Sequence, residues 1–193
     1  MQNDVSISRL LGALLYHSPG SETATSILNA FAEEENELLN VLAESASQTD
    51  PDALEADFFA LLQGSGDMPC PPWGSVYLDN ENALFGASTL EYRGFLSSVG
   101  LSCDTGLREP EDHIGLMLMM LSVLLENGGG DNAKALLSRH IMPFAPMMLE
   151  EMEKHAETAF YQGLAAITNG WLMSFCEETG VVADARRIYW ERV

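Results

Sequence analysis

Two adjoining stretches decide the reading of this chain: Glu109-Pro110-Glu111-Asp112-His113 and Ile114-Gly115-Leu116-Met117-Leu118-Met119-Met120-Leu121-Ser122-Val123-Leu124-Leu125. The first is charged and conformationally restricted. The second is apolar but for one glycine and one serine. Proline lacks a backbone N–H and has a preset φ, so Pro110 suits the first turn of a helix. Glu109, Glu111 and Asp112 stand where the positive end of the helix dipole favours carboxylates. A run that is apolar on every face belongs at the centre of a fold. The pattern therefore predicts a buried helix that opens at Glu109–Pro110 and ends at Glu126–Asn127. Gly128, Gly129 and Gly130 then supply a left-handed cap and a turn. Three acids and a histidine at the mouth of a buried helix form either a cap or a site.

Helical spacing recurs outward from this centre. Ile7, Leu10, Leu11, Leu14 and Leu15 mark a helix that stops before Ser18-Pro19-Gly20. Ala24, Ile27, Leu28 and Phe31 mark another, and Glu33-Glu34-Glu35 reads as a solvated face or turn. Leu38, Leu39, Val41 and Leu42 give a short third helix. Asp50 followed by Pro51 is an N-cap with proline at the first helical position, ahead of Leu54, Phe58, Leu61 and Leu62. Ser88-Thr89-Leu90-Glu91 reads as a capping box for the helix carrying Tyr92, Phe95, Leu96 and Val99. Asp131 caps a helix with Leu136, Leu137 and Ile141 inward. Pro143 and Pro146 break the chain before Met147, Met148, Leu149 and Met152. A long helix starts near Thr158 and ends at Gly180. No period-2 strand, hairpin dipeptide or 20–50-residue repeat is evident. The prediction is an all-α fold of roughly nine or ten helices by the periodicity count. It forms one domain over residues 1–193, with 181–193 as a candidate mobile tail. That tail holds Arg186, Arg187 and Arg192.

Residues 64–87 break the helical pattern with Gly64, Gly66, Pro69, Pro71, Pro72, Gly74 and Gly86. The stretch nevertheless carries Met68, Trp73, Val76, Tyr77, Leu78, Leu84 and Phe85. A loop this apolar must lie against something, and long loops of this kind are commonly functional.

Composition narrows the function. The chain has 193 residues, 47% of them hydrophobic and 20% charged, which suits a globular domain with a substantial core. Nine basic against 29 acidic residues give a net charge of −20. Such a balance disfavours nucleic acid and anionic lipid as partners and suits a cationic one. Cys70, Cys103 and Cys176 form an odd set without a CxxC, so neither a disulfide framework nor a zinc site is expected. The N-terminus, from Met1, lacks the pattern of a signal peptide, and no run reaches the roughly 18 apolar residues of a membrane span. The expected compartment is the cytoplasm. His113, His140 and His155 lack ligand spacing, and the glycine run lacks the features of a P-loop, so no metal or cofactor is expected. Ten methionines are present. Met117, Met119 and Met120 read as core, and Met142, Met147, Met148 and Met152 as core filler or a soft peptide-binding surface.

Three motifs then carry a family resemblance. Pro71-Pro72-Trp73-Gly74-Ser75-Val76-Tyr77-Leu78-Asp79, Leu84-Phe85-Gly86-Ala87-Ser88-Thr89-Leu90 and Glu109-Pro110-Glu111-Asp112-His113 occur in an order that resembles the TorD/DmsD family. Phe58-Phe59-Ala60-Leu61-Leu62-Gln63-Gly64 resembles the family's Tyr-x-x-Leu-Phe-x-Gly motif, with Leu62 at its second aromatic position. The resemblance implies an all-helical, non-enzymatic cytoplasmic chaperone without a cofactor. Its implied partner is the twin-arginine signal peptide of a molybdopterin oxidoreductase precursor, of the dimethyl sulfoxide reductase kind. Binding would hold back export until the molybdopterin is loaded. Components of the twin-arginine (Tat) translocase are further candidate partners, and a monomer is the expected state, with a dimer as alternative. By the same resemblance the peptide-binding residues are Phe58, Leu61, Leu62, Trp73, Gly86, Glu109, Pro110, Asp112 and His113; Tyr77 joins them as part of the apolar loop that carries Trp73.

The residues support that reading on their own chemistry. A leader of this type has two guanidiniums followed by an apolar segment. Glu109, Glu111 and Asp112 would pair the first. A partly exposed Trp73, with Tyr77, Phe58, Leu61 and Leu62, would face the second. His113 among these acids is expected to titrate above its free value, so that leader binding strengthens from about pH 6 to 8. Two alternatives remain: a small hydrolase using Asp112 and His113, and an assembly factor that grips only a folded reductase subunit.

Overall fold

The computed structural model describes residues 2–33, 36–64 and 68–191. The positions of Met1, Glu34, Glu35, Gly66 and Arg192 lie outside them. Ten α-helices follow in chain order: α1 Gln2–Tyr16, α2 Glu22–Glu33, α3 Glu37–Gln48, α4 Pro51–Phe58, α5 Gly74–Leu78, α6 Ala87–Ser98, α7 Ile114–Glu126, α8 Gly130–Leu136, α9 Ala145–His155 and α10 Ala159–Thr179. No strand occurs among the described residues; there is one isolated bridge, between Trp73 and His113. No helix is long and apolar enough to cross a membrane among those residues.

Helix α7 is the buried centre, and its main partner is α1. Their approach depends on two glycines. A Cβ on Gly12 would lie 2.6 Å from the Gly115 carbonyl oxygen, and one on Gly115 would lie 2.7 Å from the Gly12 oxygen. The two backbones thus touch where no side chain intervenes. Arg9 ties the other end of the pair, reaching Ser122 at 3.3 Å and Glu126 at 2.5 Å. Around this pair α3, α9 and α10 close the core on Phe144, Phe160 and Tyr161, all fully buried. Met142, Met148 and Met152 are buried among them, so the methionines of this region fill the core.

Local signals place several ends as expected. Asp50 accepts from the Asp52 N–H at 2.8 Å with Pro51 at the first turn. Thr158 caps α10, and Gly180 ends it with φ 69°. Thr158 is itself held by Asp57, whose carboxylate accepts from the Thr158 N–H at 2.9 Å and its hydroxyl at 2.7 Å.

Other ends differ, each because a distant partner wins. Helix α7 begins at Ile114, not at Pro110. The Gly74 N–H donates to the Asp112 carbonyl (3.1 Å) and the Ile114 N–H to the Pro72 carbonyl (2.8 Å), which holds His113 extended against Trp73. Ser88 is not an N-cap. Gly86 takes that position, Ser88 N–H and Oγ are bonded by Asp79, and Glu91 turns away to Arg186. Likewise Asp131 lies inside α8, whose cap is Gly129. Within the loop after Gly64, Gly74–Leu78 form the buried helix α5. Two wide turns with i→i+5 bonds, Phe59–Gln63 and Leu137–Ile141, extend α4 and α8; the Gly64 N–H reaches the Phe59 carbonyl at 2.6 Å. Of the segment read from sequence as a tail, residues 181–191 are described, and they are bonded to the body: the Asp184 N–H donates to the Ser138 carbonyl at 2.9 Å and the Tyr189 N–H to the Tyr77 carbonyl at 2.8 Å.

Candidate functional site

The pairing of 72–74 with 112–114 builds the site. It sets Trp73 beside His113 with ring centroids 5.9 Å apart and the rings nearly perpendicular. The Gly12–Gly115 contact brings the C-terminal turn of α1 to the same place, so Tyr16 meets the His113 ring edge-on at 5.2 Å. The wide turn Phe59–Gln63 closes the third side with Leu62 and Gln63. A cleft of about 240 Å³ lies between these walls, lined by Tyr16, His17, Ser18, Phe58, Leu62, Gln63, Trp73, Leu107, Glu109 and His113.

His113 sits at its base. It is the N-cap of α7, and its Nδ1 accepts from the Gly115 N–H at 3.1 Å. That bond places the ring proton on Nε2. Burial pulls the pKa down to about 4, opposed by the Leu62 backbone. The sequence expectation of a raised pKa is therefore reversed: no carboxylate is bonded to the ring, and removal from water dominates. His113 is neutral throughout the physiological range.

The three acids part company. Asp112 is buried and accepts from the Ser75 N–H at 2.6 Å, pinning the start of α5. Burial pushes its carboxyl up, against the Ser75 backbone hydrogen bond that draws it down. Glu111 is gripped by Arg93 through two bonds of 2.9 and 2.8 Å. Burial raises its carboxyl, and the Arg93 pair more than reverses that, leaving it below the usual range. Glu109 alone faces the cleft. Its Oε1 accepts from the Trp73 Nε1–H at 2.7 Å, and its Oε2 has no hydrogen bond among the described residues. An acid already oriented by an indole, with one oxygen unused, can receive a guanidinium or ammonium.

Five of the ten residues singled out from sequence line the cleft: Phe58, Leu62, Trp73, Glu109 and His113. Trp73 is only 9% exposed, so its indole is a wall and not a protruding platform. The other five do structural work. Leu61 is in the core, with its carbonyl accepting from Cys70. Tyr77 is fully buried against Phe144 and Trp190. Pro110 is buried in the turn before α7, and Asp112 is the bolt just described. Gly86 starts α6, where a Cβ would collide with the Asp79 carboxylate. Nor do Asp112 and His113 form an acid–base pair, since each is bonded to a different backbone N–H. Sequence reasoning missed Tyr16, His17, Ser18, Gln63 and Leu107. An aromatic and a histidine just before the helix stop at Pro19 were the available signal.

Burial is the main cause that raises the Tyr16 phenol and, separately, lowers His17. The cleft thus has neutral rings on two sides and one carboxylate.

The described residues contain no cluster of three or more side chains able to hold a metal. The fold has a solved counterpart described as a redox enzyme maturation protein. A structure from Archaeoglobus fulgidus described in those terms superposes with a TM-score of 0.63, covering 88% of this chain and 93% of the other at 21% identity, a likeness of fold alone. The family described as nitrate reductase delta subunit matches residues 28–176. A Tat proofreading chaperone, DmsD, from Salmonella typhi is 34% identical over 83% of this chain and 82% of its own length. The chaperone protein YcdY of Escherichia coli is 30% identical over 91% and 96%. The chain belongs to this TorD/DmsD-type family.

Proposed function

We propose that this chain is a cytoplasmic maturation chaperone for a molybdenum oxidoreductase, and that the Tyr16–Trp73–His113 cleft receives the twin-arginine leader of the precursor. The carrying observation is Glu109: a partly exposed carboxylate, oriented by Trp73, at the mouth of an aromatic cleft. Guanidinium is the cation that suits such a place, because it pairs with carboxylate in plane and stacks on aromatic faces. A neutral His113 adds shape without repelling the incoming charge. The net charge of −20 steers a basic segment toward the protein. The names of the curated relatives support the chaperone reading, and the resemblance favours a client of the dimethyl sulfoxide reductase kind.

Calorimetry with a synthetic leader tests this. Glu109→Gln and a leader with both arginines changed to lysine should each weaken binding about tenfold, the scale of one charge-assisted hydrogen bond. Equal affinities for arginine and lysine leaders, with Glu109→Gln at the wild-type value, would remove the basis of the proposal.

A further inference from the structure

The segment after Gly180 carries Arg186-Arg187-Ile188-Tyr189-Trp190, two arginines followed by three bulky apolar or aromatic residues. That is the order of groups the proposed client leader presents. The structure shows where this segment rests. Arg186 pairs with Glu91 of α6 at 2.8 Å. The Tyr189 N–H donates to the Tyr77 carbonyl at 2.8 Å, and the Trp190 ring lies on the Tyr77 ring with centroids 5.1 Å apart. The Arg187 guanidinium folds over Tyr189 at 4.8 Å. Further back, the Asp184 N–H donates to the Ser138 carbonyl at 2.9 Å.

We propose that the surface of Tyr77 is a seat for the apolar residues that follow the arginines of a leader, and that Trp190 is its resident occupant, latched by the Arg186–Glu91 pair. This rests on the leader reading above. Trp73, which lines the cleft, caps the start of α5, and Tyr77 lies four residues further on, about 6 Å along the helix. Two residues of extended peptide span that distance. In this proposal a leader whose arginines reach Glu109 passes Trp73 and lays its next apolar residues on Tyr77. The latch is suited to release. Arg186–Glu91 is an exposed pair, with Glu91 53% accessible, and such pairs hold weakly. Beneath it the seat is the Tyr77 carbonyl, now taken by the Tyr189 N–H, and an aromatic face, which another extended apolar segment can use once Trp190 leaves. The fully buried state of Tyr77 is then a property of the unliganded chain.

The test uses the full chain. If the segment covers its seat nine-tenths of the time, opening it permanently tightens leader binding about tenfold. Arg186→Ala combined with Trp190→Ala should show that gain by calorimetry, and a synthetic peptide of residues 183–193 added to the variant should reverse it. Glu91→Gln, which loosens only the latch, should tighten binding about twofold to threefold by the same relation. In the wild-type chain, hydrogen exchange at the Tyr189 amide should accelerate when leader is added. Leader affinities equal to or weaker than wild type in both variants, or a Tyr189 amide unchanged at saturating leader, would overturn the proposal while leaving the Glu109 cleft intact. A leader that binds none of the three proteins would overturn both readings.

Discussion

Replacing Gly12 by alanine adds one methyl group at the closest approach of α1 and α7. That methyl would lie 2.6 Å from the Gly115 carbonyl oxygen and 2.9 Å from the Met119 nitrogen. Both are backbone atoms of α7, so no side chain can swing aside; reaching even 3.0 Å requires the helices to part by at least 0.4 Å. Overpacking of this kind costs about 3 kcal/mol where the obstacle is rigid. Alanine returns about 1 kcal/mol of helix propensity. The net loss is about 2 kcal/mol, or about 4–8 °C in Tm for a chain of this size. Gly170→Ala supplies the control. It is the same chemical change inside α10, with nothing within 4 Å of the added Cβ. It should gain about 1 kcal/mol and raise Tm by about 2–4 °C. Parting α1 from α7 also moves Tyr16 away from His113, so Gly12→Ala should weaken leader binding, whereas Gly170→Ala should not. Thermal melts followed by circular dichroism read the stabilities. A Gly12→Ala protein as stable as Gly170→Ala would refute the backbone contact and the placement of Tyr16 that follows from it.

Asp112→Ala leaves the buried Ser75 N–H without an acceptor and should cost about 2 kcal/mol, whereas Asp112→Asn keeps an acceptor, sheds a buried charge and should melt within about 1 kcal/mol of wild type; urea titration separates them. His113 titrates near 4 when folded and at the ordinary histidine value when unfolded. The unfolded chain therefore takes up a proton first, and stability falls from about pH 6.5 to 4 by up to roughly 3 kcal/mol. His113→Gln should lack that portion of the loss, and leader affinity between pH 6 and 8 should show no histidine step in either protein. Trp73→Phe keeps a ring wall but frees Glu109 to turn, so it should weaken leader binding several-fold, the scale of one hydrogen bond, and lower Tm because the smaller ring leaves buried space unfilled.

What the sequence made legible was whatever a few neighbouring residues decide. The ends of α10 at Thr158 and Gly180, and the start of α4 at Asp50–Pro51, rest on local caps and were readable. The central place of α7, buried over most of Ile114–Leu124, followed from its all-round apolarity. The misreadings share a cause in long-range contact. Pro110 looks like a helix start, but Pro72 and Gly74 claim the neighbouring backbone first. Ser88 looks like a cap, but Asp79 takes its N–H from nine residues away. Asp112 and His113 look like exposed neighbours in an acidic cluster. Burial makes one a bolt and the other neutral, and burial is a property of the assembled fold. Tyr77 was legible as important from its motif but not as covered, because its cover lies in the last residues of the chain. Tyr16 joined the site through two glycines a hundred residues apart, a juxtaposition no local pattern encodes.

In this fold the arginines of a leader go to Glu109 if the proposed function holds. Photo-cross-linking tests that placement most directly, using a leader with a benzophenone side chain beside the arginine pair and mass spectrometry of the adducts. Adducts are expected on Tyr16, Leu62, Trp73 and Leu107, suppressed by excess unmodified leader and reduced in Glu109→Gln. Adducts confined to the larger groove between α2, α3 and α4, at Leu28, Ala43 or Leu54, would contradict it.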